Sequence, residues 1–190
     1  GPLYLGRLVE TAPIPPRHSS VHTDPALKDF AKWLGQRGMN DLAQAARDTG
    51  SASALGLDLE LPGPVGERNL YALHPRGNIL LVPQTEAGLY RQMTAALATG
   101  NTVYVDEASD LRNVLKDVPA SVAARTIWTN NWESDAPFAG ALVEGNAERI
   151  VEINKKLATL PGPLVLTQAA STEELADNPD AYCLNWLLEE

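Results

Sequence analysis

A parallel α/β sheet of about five strands, with helices on both faces and a helical N-terminal appendage, is the fold this 190-residue sequence predicts. Two observations carry that reading. Short apolar runs alternate with helical patterns across short links from about residue 69 to 170, and strands joined in that way lie parallel. The first run, Ile79 to Val82, is apolar throughout, as expected for a strand covered on both faces. It opens a βαβ unit between Leu61 and Asp106 that the later elements extend.

Residues 1–23 read as an irregular arm, stiffened where Pro13, Pro15 and Pro16 fix φ and remove backbone donors. Its apolar residues Leu3, Tyr4, Leu5, Leu8 and Val9 form a candidate contact surface. Asp24 then Pro25 is an N-cap followed by a first-turn proline, and Leu27, Phe30, Ala31 and Leu34 form a helical stripe ending near Gly35 or Gly38. Asn40 is expected to cap a second short helix that Gly50 stops, with a connection and one short strand at Leu55 to Leu61 after it.

Asn69 to His74 looks extended, and Pro75-Arg76-Gly77-Asn78 is a turn. Thr85 can cap a helix to Thr99, with Gly100-Asn101 as its stop. Val103 to Val105 is the second strand, and Ser109 is expected to cap a helix through Lys116, with a turn at Pro119 to Ala124. Thr126 to Thr129 and Ala139 to Val143 are the third and fourth strands. A helix over Ala147 to Thr159 places Ile150, Ile153, Asn154 and Leu157 on one face. A fifth strand at Leu164 to Thr167, a short helix at Thr172 to Ala176 and an apolar segment at Tyr182 to Leu188 complete a Rossmann-like arrangement.

The composition narrows the function classes. A net charge of -9 repels phosphate backbones, and no basic block offsets it, so no nucleic-acid partner is expected. The single cysteine excludes an internal disulfide framework and fits a reducing compartment. No apolar run approaches the length of a bilayer span, and the cytoplasm is the expected location.

Ligands of such sheets bind beyond the carboxyl ends of the strands. The exits here are chemically sparse. Pro83-Gln84-Thr85-Glu86 contains no GxGxxG and no P-loop lysine. Asp106-Glu107 would repel a cofactor phosphate. The helix start at Gly145-Asn146 could hold an anion, but Glu144 counts against it. His18, His22 and His74 are scattered, and no metal site is expected. Cys183, between Tyr182 and Leu184, reads as a buried, inert thiol. Glu67-Arg68 reads as a structural ion pair. Trp33, Trp128, Trp132 and Trp186 read as core or interface anchors, with Trp132 in its loop the foremost contact residue.

Two tiers of resemblance attach to these residues. AALATGNTVYV (95 to 105) is similar to the helix-to-strand passage of the NAD-binding domain of the aldehyde dehydrogenase superfamily. ALVEGNAERI (141 to 150) lies where that family has a strand and FTGSxxxG, and GPLVLTQAA (162 to 170) where it has the strand leading to LELGG. The chemical positions depart from the family. Its ribose-binding lysine corresponds to Asp106, the segment FTGSxxxG to one containing Gly145 and Asn146, its last glycine to Ile150, and the general-base glutamate to Thr167. The Pro-Trp-Asn segment with the oxyanion-hole asparagine has no counterpart, and the domain carrying the nucleophilic cysteine is absent. The resemblance therefore implies no catalytic and no cofactor-binding residue in this segment.

The second tier is to the C-terminal region of the long proline utilization A proteins. LPGPVGERNLYALHPRG (61 to 77), followed by ALATGN, resembles the LPGPTGERN...PRG...GN signature of that region, and GPLYLGRLVETAP resembles the sequence after its aldehyde dehydrogenase module. This implies a parent with an FAD-dependent proline dehydrogenase and an NAD-dependent glutamate-semialdehyde (pyrroline-5-carboxylate) dehydrogenase. The segment would be an inactive aldehyde dehydrogenase-like domain that packs on the active module of the same chain and helps enclose the cavity through which the intermediate passes. An oligomer would arise through the parent. The expected organisation is an extended Pro-rich arm (1–23), a helical appendage and linker (24–60), and a Rossmann-like, aldehyde dehydrogenase-like domain (61–190). Docking is expected through the arm and through Glu67, Arg68, Asn69 and Trp132. The alternative is an independent NAD(P)- or nucleotide-binding domain, supported by the helix start near Asn146.

Overall fold

Asp24 begins the first helix by its side chain, which accepts from the Ala26 N–H at 2.8 Å, and Pro25 occupies the first turn, where no N–H is needed. The computed structural model describes residues 23–135, 137–178 and 180–190. The arm positions Leu3, Tyr4, Leu5, Leu8 and Val9 lie outside the described residues. α1 (Pro25–Gln36) and α2 (Asn40–Ala52) are consecutive and pack on each other. Asn40 is the first residue of α2 rather than its cap, and Gly50 does not stop the helix. The reason is tertiary: a Cβ at Gly50 would lie 2.6 Å from Leu27 Cδ2, so the glycine serves the close approach of the two helices.

β1 (Asp58–Leu61) and β2 (Asn69–Ala72) make an antiparallel ribbon that pairs Asp58 with Ala72 and Leu61 with Asn69. β3 (His74–Pro75) pairs with β9 (Leu188–Glu189) at the end of the chain. The main sheet follows: β4 (Asn78–Val82), α3 (Glu86–Ala98), β5 (Thr102–Asp106), α4 (Ala120–Ala123), β6 (Thr126–Thr129), β7 (Gly140–Glu144), α5 (Ala147–Leu157), β8 (Leu166–Ala170) and α6 (Thr172–Asp177). Its five strands are parallel in the order β6-β5-β4-β7-β8, so the order reverses between β4 and β7.

Alternation along the strands divides the core. Ile79, Leu81, Val103, Val105 and Leu142 face one side, where α1, α2, α3 and α6 contribute Phe30, Leu34, Ala43, Met93 and Leu175 to a single cluster. Leu80, Val82, Ala141 and Val143 face the other, beneath Ile153 and Leu157 of α5. The N-terminal helices therefore share the core of the sheet. Phe30 stacks on Trp33 at 5.7 Å and meets Tyr90 of α3 at 6.4 Å. A second tie joins Asp24 to the far strands: Arg125, just before β6, reaches the Asp24 carboxylate at 3.1 Å and donates to the Gly100 carbonyl at the end of α3. A cation there also suits the negative end of a helix.

The sequence expectation differs from the fold elsewhere as well. The stretch from Ser109 to Lys116 is two 3-10 turns, Glu107–Ser109 and Arg112–Leu115, not a helix. Asp106 caps the first turn, and Asp110 at φ 52 breaks the run. β8 begins two residues later than Leu164, because its register follows β7 from Gly140↔Leu166 to Glu144↔Ala170; Leu164 is left exposed. Cys183 is exposed. Its backbone is clamped on both sides by Gln168, which accepts from the Cys183 N–H at 2.7 Å and donates to its carbonyl at 3.0 Å. That orientation buries Tyr182 and turns the thiol outward.

Candidate functional site

The rim where the strand order reverses is the place a ligand of this sheet class would occupy. Three helices start there, each with a side-chain cap. Thr85 accepts from the Gly88 N–H at 3.0 Å, Asn146 from Arg149 at 2.9 Å, and Ser171 from Glu174 at 3.1 Å. A crevice of about 260 Å³ opens between Gln84, Gly145, Asn146, Ser171, Thr172 and Glu173.

The dominant feature of the rim is a carboxylate of the protein itself. Glu144, the last residue of β7, has no solvent exposure. Its Oε2 accepts from the backbone N–H groups of Gln84 (2.6 Å) and Thr85 (2.9 Å). Its Oε1 accepts from the hydroxyls of Thr85 (2.7 Å) and Thr172 (3.0 Å). The negative charge thus sits at the positive N-terminus of α3. Gly88 makes room for it: a Cβ there would fall 1.8 Å from Oε2. Under this group lies Tyr182, whose hydroxyl accepts from Gln92 Nε2 at 3.1 Å and donates to the Val143 carbonyl at 3.4 Å. Burial, foremost, keeps the Tyr182 phenol neutral by pushing its pKa up, with the Gln92 hydrogen bond opposing.

The other expected positions are scattered around this centre. Arg149 folds back along Gly145, with Nε donating to the Glu144 carbonyl at 3.1 Å. Ile150 is half-buried and packs on the second core cluster. Thr167 lies beside Ala141 in the sheet, half-buried. Asp106 is buried at the end of β5 and accepts from Ala108 N at 3.2 Å. Burial raises its pKa above the ordinary carboxylate value, with the Ala108 hydrogen bond and Arg149 opposing. A raised folded-state pKa means the folded state binds the proton more tightly, so ionisation weakens the fold as pH rises through that range. Asp106→Asn is expected to raise the thermal midpoint at neutral pH, with the gain fading as pH falls below the ordinary carboxylate range; paired melts across pH check it.

Glu67 and Arg68 are exposed in the turn of the β1–β2 ribbon, and Asn69 opens β2. Arg68 pairs with Glu60 across the ribbon at 3.1 Å, not with Glu67 as the adjacent sequence suggests. Trp132, expected as a contact residue, is 5% exposed and packs with Leu80, Val82 and Phe138. The turn after β6 carries it under the sheet rather than outward. Trp186 is the exposed tryptophan, at 53%. Sequence reasoning placed Glu144 beside α5 as an obstacle and missed its reach across to α3. The available signals were the capping threonine at 85 and the glycine three residues later.

Among the described residues, no group of three or more potential ligand side chains is placed to hold a metal ion, and no helix is long and apolar enough to cross a membrane.

Comparison with known proteins first defines the class. The fold is Rossmann-like and aldehyde dehydrogenase-like: the substrate-bound AldH of Staphylococcus aureus superposes with a TM-score of 0.56 at 10% identity, over 77% of this chain and 40% of that one. A Bradyrhizobium japonicum proline utilization A (PutA) structure gives 0.58 at 20% identity, over 77% of this chain and 19% of that one. The chain is homologous to a segment of PutA: it is 68% identical over 190 residues to the bifunctional protein PutA of Rhizobium meliloti, covering 100% of this chain. The corresponding protein of Salmonella typhimurium is 27% identical over 92% of this chain. The chain spans 16% and 14% of the lengths of these two relatives. No family model matches it.

Proposed function

We propose that this chain is a non-catalytic accessory domain of a bifunctional enzyme that oxidises proline to glutamate. In this reading the longer polypeptide carries an FAD-dependent proline dehydrogenase and an NAD-dependent glutamate-semialdehyde dehydrogenase in the cytoplasm. The domain packs on the aldehyde dehydrogenase module and helps wall the cavity that the intermediate crosses. Its action is steric: it excludes solvent and retains the intermediate, as a lid does.

The observation that carries the non-catalytic part is the Glu144 carboxylate at the reversal point. The N–H groups at the start of α3 are already taken, and the start of α5 carries the acidic Glu148 in its first turn. Asp106 at the neighbouring exit and Ile150 on α5 add no group suited to a dinucleotide. The residues of this rim therefore do not fit NAD. Support for docking comes from the β1–β2 ribbon. Its strands pair only with each other among the described residues, and it exposes Leu61, Val65 and Leu70. Two-stranded ribbons are marginal alone in water, and an apolar one is suited to lying against a partner.

The test is NADH formation from proline by the longer polypeptide with and without this segment. A lag in the progress curve on deletion is expected; no added lag, with aldehyde oxidation unchanged, would overturn the reading. Val65→Asp with Leu70→Lys refines it. In the 190-residue chain these exposed changes are expected to alter stability by less than about 0.5 kcal/mol, whereas in the longer polypeptide they should reproduce the lag. Calorimetric titration of the chain with NAD addresses the rival reading of an independent nucleotide-binding domain, and no heat of specific binding is expected.

A further inference from the structure

We infer that the cavity at the amino end of the main sheet, lined by Arg76 and Glu189, is a binding site for a free apolar α-amino acid. Arg76 lies just before β4, Pro137 before β7, and Pro163 and Leu164 before β8, so the cavity is at the end of the parallel sheet opposite the Glu144 rim. Its volume is about 430 Å³, within the range of small-molecule sites. Two opposite charges line it. Arg76 is half-buried: its Nη2 donates to the Leu188 carbonyl at 2.9 Å, and its Nε is buried with no hydrogen-bond partner among the described residues. Glu189 is exposed, in β9. Among the described residues neither charge forms an ion pair, with the other or with any third group.

Those two charges select the ligand. A half-buried guanidinium without a carboxylate is an uncompensated charge, and a ligand carboxylate would meet it through charge-assisted hydrogen bonds. A simple anion does not suit the whole cavity, because Glu189 would repel it, and a simple cation meets the same objection from Arg76. A zwitterion answers both, with its carboxylate on Arg76 and its ammonium on Glu189. Asn78 adds an acceptor: its Nδ2 donates to the Pro137 carbonyl at 3.4 Å, which leaves Oδ1 for the ammonium. The rest of the wall is apolar. Leu164 is 82% exposed there, between Pro163 and the cavity floor at Ala139, so an aliphatic side chain laid against it removes apolar surface of both molecules from water. The assignment is independent of the accessory reading, since it concerns the other end of the sheet and is measured by binding, not by proline oxidation.

The experiment is titration of the 190-residue chain with L-leucine, followed residue by residue in proton–nitrogen correlation spectra. A dissociation constant of about 1 mM is expected for so small a ligand, with the shifts concentrated on Gly77, Asn78, Ala139 and Leu164. Isocaproate and isoamylamine keep the branched chain but only one of the two charges, and each should bind about 10-fold more weakly. Glu189→Gln should weaken L-leucine about 10-fold and strengthen isocaproate, because it removes the partner of one and the repulsion of the other. Arg76→Gln should weaken both. Equal affinity for the three compounds, an L-leucine affinity unmoved by Glu189→Gln, or no saturation up to about 30 mM would overturn the assignment. Should Arg76→Gln fail to fold, the change of preference in Glu189→Gln, an exposed position, decides alone.

Discussion

Gly88→Ala is expected to destabilise the protein by about 3 kcal/mol, read from urea unfolding at constant slope. The sign is what makes this informative. In an ordinary helix interior, alanine is better than glycine by roughly 0.5–1 kcal/mol, because it loses less backbone freedom on folding. Here the added methyl would overlap the Glu144 carboxylate, 1.8 Å from Oε2. The side chain must leave its donors, and the Gln84 and Thr85 N–H groups lose their buried partner. Combining Gly88→Ala with Glu144→Ala should cost less than the two separate losses added, since the clash then has no object. A stabilising Gly88→Ala would mean that the carboxylate is not held where the hydrogen bonds put it.

Phe30→Ala is the second large effect, about 3–5 kcal/mol, as for other buried aromatic truncations. Phe30 is fully buried, stacked on Trp33 and in contact range of Tyr90 from α3. Because α1 shares one core with the sheet, the loss should appear in a single transition. Fluorescence dominated by the tryptophans and far-UV circular dichroism should report the same midpoint. A variant in which the helices melt first and leave the sheet intact would show that α1 and α2 are a separable layer.

Legibility from sequence followed the range of the interactions. The helix caps at Asp24 and Thr85 were readable because a cap is a contact within three residues. β6 was placed at its observed bounds, Thr126–Thr129, because an apolar run between turn residues marks it locally. Gly50 was misread as a stop, since its role is a contact with Leu27 more than twenty positions away. Cys183 and Trp132 differ from expectation in opposite directions: apolar neighbours suggested burial of Cys183 and a polar loop suggested exposure of Trp132, but the Gln168 clamp and the turn after β6 set which way each side chain points.

The sequence by itself determined the class of fold and the order of its elements, because hydrophobic period and capping are carried by neighbouring residues. It also showed which chemical groups the strand exits lack. Only the tertiary structure decided that the first two helices join the sheet's core and that Glu144 turns into the rim to occupy the start of α3. The donor and acceptor residues of that contact are 59 or 60 positions apart, and nothing short of the closed sheet brings them together. Direction, unlike propensity, is a property of the packed molecule: a carboxylate at the end of a strand reads the same in sequence whether it faces water or fills an anion site.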